Sequence, residues 1–233
     1  MTTDRPERPP IQIGILLFPD MTQLDAMGPA QVLGMVPGVK LHLVWKTTDP
    51  VMTEGGFAVV PTTSFADCPP LDVICVPGGV GQVPLLRDRV VLDFVRRQGE
   101  GARYVTSVCT GSLLLAAAGL LKGYKAGCHW MWRDMLTAFG AEPVAERVVR
   151  DRNRITGGGV TAGIDFGLVL VAELAGETTA RRIQLIVEYD PAPPFDSGSP
   201  ERARPKDVER TLEIMRRPLE EWRTAVARAA QEG

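Results

Sequence analysis

Residues 103–121 read RYVTSVCTGSLLLAAAGLL. The first seven are rich in β-branched and aromatic side chains, which suit a pleated strand. The next twelve are mostly leucine and alanine, strong helix formers, and Gly123 offers a helix stop. A strand that runs straight into a helix is half of a βαβ unit, so the segment points to a parallel sheet with covering helices. Cys109 falls at the turn between the two.

The same alternation extends in both directions. IQIGILLF (11–18) is a continuous apolar run that reads as a buried strand ended by Pro19 and Asp20. Thr22 to Val36 reads as a helix broken by Pro29, LHLVW (41–45) as a strand, and 51–61 around Gly55-Gly56 as a hairpin. DVICVPGG (72–79) is a strand stopped by proline and two glycines, followed by a helix over 85–98. Beyond the central unit come a helix at 130–139, a hairpin through Asn153 and a helix from Thr161 to Leu174. The expected fold class is α/β: a mainly parallel sheet flanked by helices on both faces, a flavodoxin-like three-layer sandwich, with a C-terminal helical extension. The expected divisions are a disordered tail at 1–10, a catalytic α/β domain at 11–190, a Pro/Gly-rich loop at 191–205 and the extension at 206–233. In that extension Val208, Leu212, Met215, Leu219, Trp222, Val226 and Ala229 alternate spacings of four and three, a helical apolar stripe. Pro218 kinks it or splits it in two. The stripe serves either its own domain or a dimer partner.

The chain has 233 residues, 45% apolar and 23% charged, with a formal net charge of −2. It shows no basic excess or stripe of the kind that nucleic-acid binding requires. The first ten residues lack an apolar h-region, and no segment is long and apolar enough to span a bilayer, so the expected compartment is the cytoplasm. Cys68, Cys75, Cys109 and Cys128 form no CxxC pair and only His42 and His129 could join them, so no structural zinc site is expected.

Open parallel sheets bind ligands at the carboxyl ends of their strands. Three segments fall there: Pro19–Asp25, Pro77–Gly79 and Ser107–Ser112. At the last, Cys109 has the setting of a nucleophile elbow, with Gly111 and Ser112 permitting close approach. A helix N-terminus there favours a thiolate and lowers its pKa; the alternative is an inert core cysteine. Asp25 lies in the apolar run Leu24-Asp25-Ala26-Met27. Thr22-Gln23-Leu24-Asp25 matches a capping box, which is the favoured reading on residues alone; proton transfer to Cys109 is the other. Backbone N–H groups at Gly79 and Val80 could face a developing negative charge. His129 could orient the thiol or be a hydrogen-bonded core residue. Gly157-Gly158-Gly159 lacks the spacing of a nucleotide loop and reads as a hinge or a close-packing turn.

DVICVPGG, YVTSVCTGS and ITGGGVTAGIDFGL together resemble the ThiJ/PfpI superfamily, with its class I glutamine-amidotransferase-like fold. IGILLFPDMTQLDAMGP, TTSFADCPPLDVICVPGG, ERVVRD and EYDPAPPFDSGSP are similar to its isocyanide hydratases. The resemblance covers about residues 11–200 and implies Cys109 as nucleophile and Asp25, in place of the glutamate of many relatives, as the proton carrier. Thr110 fits the same pattern. His129, 20 residues after Cys109, matches a histidine that some members pair with their nucleophile. The resemblance also implies a cofactor-free homodimer that hydrates a small isocyanide through a covalent thioimidate. Glyoxalase or deglycase chemistry, a redox-sensing chaperone and a regulator remain as rivals.

Overall fold

The computed structural model describes residues 9–232; the disordered tail expected at 1–10 falls, for residues 1–8, outside them. In chain order the elements are β1 (Ile11–Leu16), α1 (Gln23–Leu33), β2 (Val39–Trp45), β3 (Val51–Met52), β4 (Ala58–Val59), β5 (Thr63–Ser64) and β6 (Val73–Val76). Then follow α2 (Arg89–Gly101), β7 (Tyr104–Ser107), α3 (Gly111–Ala117), β8 (Lys125–Ala126), β9 (Glu142–Pro143), β10 (Val148–Asp151) and β11 (Arg154–Gly157). Four helices complete the chain: α4 (Ala162–Ala175), α5 (Glu177–Ile186), α6 (Pro205–Ile214) and α7 (Arg216–Glu232). Seven strands form one sheet in the order β10-β11-β7-β6-β1-β2-β5. All its pairings are parallel except the β10–β11 hairpin at one edge. The chain leaves β1 toward β2 on one side and continues from β6 to β7 on the other. The strand order therefore reverses between β1 and β6, and a crevice opens at their carboxyl ends.

Why these strands lie centrally is visible in their side chains. Ile13, Ile15, Leu16, Val73, Val76 and Val105 are all 0–1% exposed, so β1, β6 and β7 are covered on both faces, as their unbroken apolar runs require. The expected hairpin at 51–61 forms as β3–β4, with Val51 opposite Val59.

Several local expectations are corrected. Pro29 lies inside α1 and does not break it. A helix-interior proline costs roughly 3 kcal/mol, but here tertiary packing prevails: a Cβ on Gly163 of α4 would lie 3.2 Å from the Pro29 ring, so α4 supplies a glycine where the ring approaches. Helix α3 stops at Ala117 rather than running to Gly123. Gly119, at φ 81°, ends it, with Leu120 N–H donating to the Leu115 carbonyl and Gly119 N–H to that of Ala116, a Schellman closure. The helix expected over 85–98 begins at Arg89, where the Asp88 carboxylate accepts from Val90 and Val91 N–H and caps it. The helix expected at 130–139 is a 3-10 segment over Arg133–Phe139.

The apolar stripe splits between α6 and α7. Helix α6 buries none of its residues, whereas Leu219, Trp222, Val226 and Ala229 of α7 are buried and α7 packs on α3 of its own chain. Trp222 meets Trp132 edge-to-face at 6.2 Å.

Candidate active site

The three loops singled out in the sequence converge because β7, β6 and β1 are neighbours. Val108 N–H donates to the Val76 carbonyl at 3.0 Å, and Thr22 N–H donates to the Gly78 carbonyl at 2.9 Å. Together these bonds tie the elbow and the start of α1 to the Pro77–Gly79 turn.

Cys109 sits at φ 57°, in the left-handed region, where a side-chain-bearing residue pays roughly 1 kcal/mol or more. Its N–H holds that geometry by donating to the carbonyls of Gly157 at 3.3 Å and Gly158 at 2.7 Å. Gly158 N–H in turn donates to the Arg147 carbonyl at 2.8 Å. Gly157 and Gly158 are thus the backbone cradle of the elbow. Gly111 allows the next residues to turn under the sheet, because a Cβ there would run into the Val76 carbonyl oxygen. Gly111→Ala is expected to destabilise the fold by about 3 kcal/mol through that overlap, read as a lowered urea midpoint at unchanged slope.

Asp25 is wholly buried. Its Oδ2 accepts the Gly78 N–H at 2.9 Å, and the Cys109 thiol lies close enough to lower its pKa. The Thr22 side chain makes no cap bond to α1, so the capping-box reading of Asp25 is replaced by a long-range one. No protein partner reaches Oδ1 among the described residues. The turn that meets Asp25 depends on glycine: a Cβ on Gly78 would lie 2.8 Å from Asp25 Oδ2, and Gly79 has φ 141°. Gly79 N–H donates to Thr110 Oγ1 at 3.1 Å, which places Thr110 across the crevice from the turn.

Burial pushes the Asp25 carboxyl up from 3.8 to about 7, with the nearby Glu54 charge adding to the rise; the Gly78 bond and the Cys109 thiol oppose it. Folding therefore strengthens this group's hold on its proton. The stability it contributes is fully present below about pH 4 and is lost as pH rises to about 7, a fall of about 4 kcal/mol. Asp25→Asn is expected to remove that component of the slope, checked by urea unfolding across the same pH range.

Cys109 is 5% exposed. Burial raises its thiol pKa well above the usual value, Asp25 and Cys128 add to the rise, and the Thr110 N–H opposes it. The expected lowering by the helix start is thus outweighed: desolvation and a neighbouring carboxylate exceed one backbone N–H. Cys128 is also buried. Nothing in the sequence tied it to Cys109.

His129 is kept neutral by burial, its pKa lowered to about 4. Its Nδ1 accepts the Met131 N–H at 3.4 Å, and its ring meets Trp132 at 4.9 Å. A Cβ on Gly159 would lie 3.3 Å from the ring. Among the described residues no hydrogen bond joins His129 to Cys109. Sequence reasoning also passed over Gln82, fully buried one turn beyond Gly79 with its side chain donating to the Pro77 carbonyl at 2.8 Å. A lone amide in the run Val80–Leu86 was the available signal.

A parallel α/β sheet whose switch-point crevice holds a left-handed cysteine beside a buried carboxylate defines a class of cysteine-elbow proteins. The DJ-1/PfpI family model matches residues 11–173, and the chain belongs to that family. It is 60% identical over 193 residues to the isonitrile hydratase of Pseudomonas putida, covering 83% of this chain and 85% of that protein. It is 32% identical over 205 residues to the HTH-type transcriptional regulator GbdR of Pseudomonas aeruginosa, covering 82% of this chain but only 55% of the regulator. The crystal structure of a ThiJ/PfpI family protein from Pseudomonas syringae superposes with a TM-score of 0.90 at 46% identity, covering 98% of this chain and 93% of that one.

Proposed function

We propose that this chain is an isocyanide hydratase, converting R–N≡C and water to an N-substituted formamide, with Cys109 as nucleophile and Asp25 as general acid and base. The observation that carries the reading is the buried Asp25–Cys109 pair. It stands in a chain 60% identical to the Pseudomonas putida isonitrile hydratase. A carboxyl with a pKa near 7 can both take and give a proton at neutral pH. The aspartate, one methylene shorter than glutamate, argues against glyoxalase chemistry.

In the first half-reaction the Cys109 proton passes to Asp25, sulfur bonds to the terminal isocyanide carbon, and Asp25 delivers the proton to that carbon. The product is the thioimidate Cys–S–CH=N–R. In the second, water adds across the C=N bond with Asp25 taking a proton and returning it to nitrogen. The tetrahedral adduct then collapses: the C–S bond breaks, the hydroxyl proton returns to sulfur, and R–NH–CHO leaves. The covalent stage divides one slow hydration into two easier steps. Thr110 supports the elbow by accepting the Gly79 N–H at its hydroxyl, and its own N–H favours the thiolate. The Gly79 N–H is engaged by Thr110, so the Val80 N–H, which no hydrogen bond claims among the described residues, is the backbone donor for substrate or water. His129, neutral and turned toward Gly159, acts as a wall of the site. Gly159 is held tight by the His129 ring, 3.3 Å from where its Cβ would lie, whereas Gly157 meets no contact shorter than 3.5 Å and has no positive φ, so the resting geometry does not demand glycine at 157. Freedom to move as a hinge supplies the demand.

The catalytic unit proposed is 11–190, with 191–205 as a loop and 206–233 as a helical extension. Four free thiols suit a reducing cytoplasm, and no helix among the described residues is long and apolar enough to cross a membrane. The solution species proposed is a homodimer, without nucleic acid or cofactor.

Incubation with cyclohexyl isocyanide tests the reading. N-cyclohexylformamide should accumulate catalytically, and acid-quenched protein should carry the mass of one isocyanide on Cys109. Formamide formation no faster than in buffer would refute it.

A further inference from the structure

Gln82 is fully buried, and its Nε2 donates to the Pro77 carbonyl oxygen at 2.8 Å. That oxygen and the Gly78 N–H belong to one planar peptide group, and the Gly78 N–H is the donor that Asp25 Oδ2 accepts at 2.9 Å. Resting on the hydratase reading, we propose that Gln82 is a positioning residue for Asp25: by gripping the carbonyl end of the Pro77–Gly78 peptide, it aims the N–H end and sets how firmly Asp25 holds its proton.

Two physical effects support this. The first is rigidity. A peptide plane turns as a unit, so a bond at its oxygen constrains its N–H. The bonds from Thr22 N–H to the Gly78 carbonyl and from Gly79 N–H to Thr110 hold the far side of the turn, and Gln82 supplies the matching hold on the Pro77 carbonyl. The second is polarisation: a hydrogen bond accepted by the carbonyl makes the N–H of the same amide a stronger donor. The surroundings of Asp25 make that donor matter. The titratable groups around it are Cys109, Cys75, Cys128 and Glu54, all neutral or negative. No cation faces it among them, so the Gly78 N–H and the Cys109 thiol are what favour its charged form. Gln82 Oε1 is buried with no protein partner among the described residues. Packing alone calls for an apolar residue there, since an unmet acceptor is destabilising.

The test is a titration that needs no turnover. Asp25 is followed by carbon NMR in protein carrying ¹³C-labelled aspartate, its carboxyl resonance identified by its absence in Asp25→Asn. In Gln82→Met the Asp25 midpoint is expected to rise by about one pH unit, and the rising limb of the pH profile of kcat/KM for cyclohexyl isocyanide should move with it. A folded Gln82→Met protein with an unchanged midpoint overturns the proposal. If the hydratase reading alone is wrong, no formamide forms but the carboxyl titration still shifts; if only the Gln82 proposal is wrong, formamide forms and the titration stays. Should Gln82→Met fail to fold, the unsubstituted protein decides. Gln82 side-chain amide protons that titrate with the midpoint of Asp25 support the coupling, and protons indifferent to it overturn the proposal.

Discussion

Cys109→Ala is expected to lower kcat/KM for cyclohexyl isocyanide by about 10⁴-fold or more, to the rate in buffer. No other thiol can substitute. Cys75 and Cys128 are buried, and burial holds the Cys75 thiol up at about 12 and that of half-buried Cys68 at about 11. The loss should be chemical rather than structural. Alanine at φ 57° meets the same left-handed penalty that cysteine already bears, and the backbone bonds from residue 109 to Gly157 and Gly158 do not involve the side chain. Circular dichroism and the urea midpoint should therefore stay close to those of the unsubstituted protein. Appreciable turnover in a folded Cys109→Ala protein would eliminate the covalent mechanism.

Asp25→Asn should cost about 10²- to 10⁴-fold in hydration, the usual size of a general acid–base contribution. Its effect on the thiol should run the other way. The Asp25 charge helps to raise the Cys109 pKa, so its removal lowers that pKa and increases the thiolate fraction at a given pH. Alkylation of Cys109 by iodoacetamide should therefore accelerate while formamide production collapses. The pair of opposite signs separates lost proton transfer from lost nucleophilicity. Slowed alkylation together with slowed hydration would mean that Asp25 serves mainly to activate the thiol.

The strand and helix core of this protein was legible because its signals are local and strong. RYVTSVC followed by TGSLLL announces a βα unit by side-chain shape alone, and IQIGILLF can only be a strand buried on both faces. What failed to read were places where tertiary contact outweighs local preference. Pro29 breaks helices in isolation, yet α1 passes through it because Gly163 of α4 leaves room for the ring. Helix α5 went unseen because only Ala180 and Ile183 of its ten residues are buried, too sparse a pattern to stand out. At the site, Cys109 was readable from its turn. The placement of the Asp25 carboxylate was not readable from residues alone, since Thr-x-x-Asp spells a cap whereas its oxygen bonds the distant Gly78 N–H. Gln82 required the three-dimensional turn, because a single amide in a short apolar stretch carries no periodic signal.

The edge-to-face contact of Trp132 with Trp222 gives the protein an optical property of its own. Two indoles 6.2 Å apart have coupled electronic transitions, and the resulting near-ultraviolet signal depends steeply on their mutual angle. One indole belongs to the segment that carries His129, 4.9 Å from its ring; the other rides on the C-terminal helix. Any shift of the segment that carries His129 against the C-terminal helix changes that angle, so near-ultraviolet circular dichroism registers it without a label and without turnover.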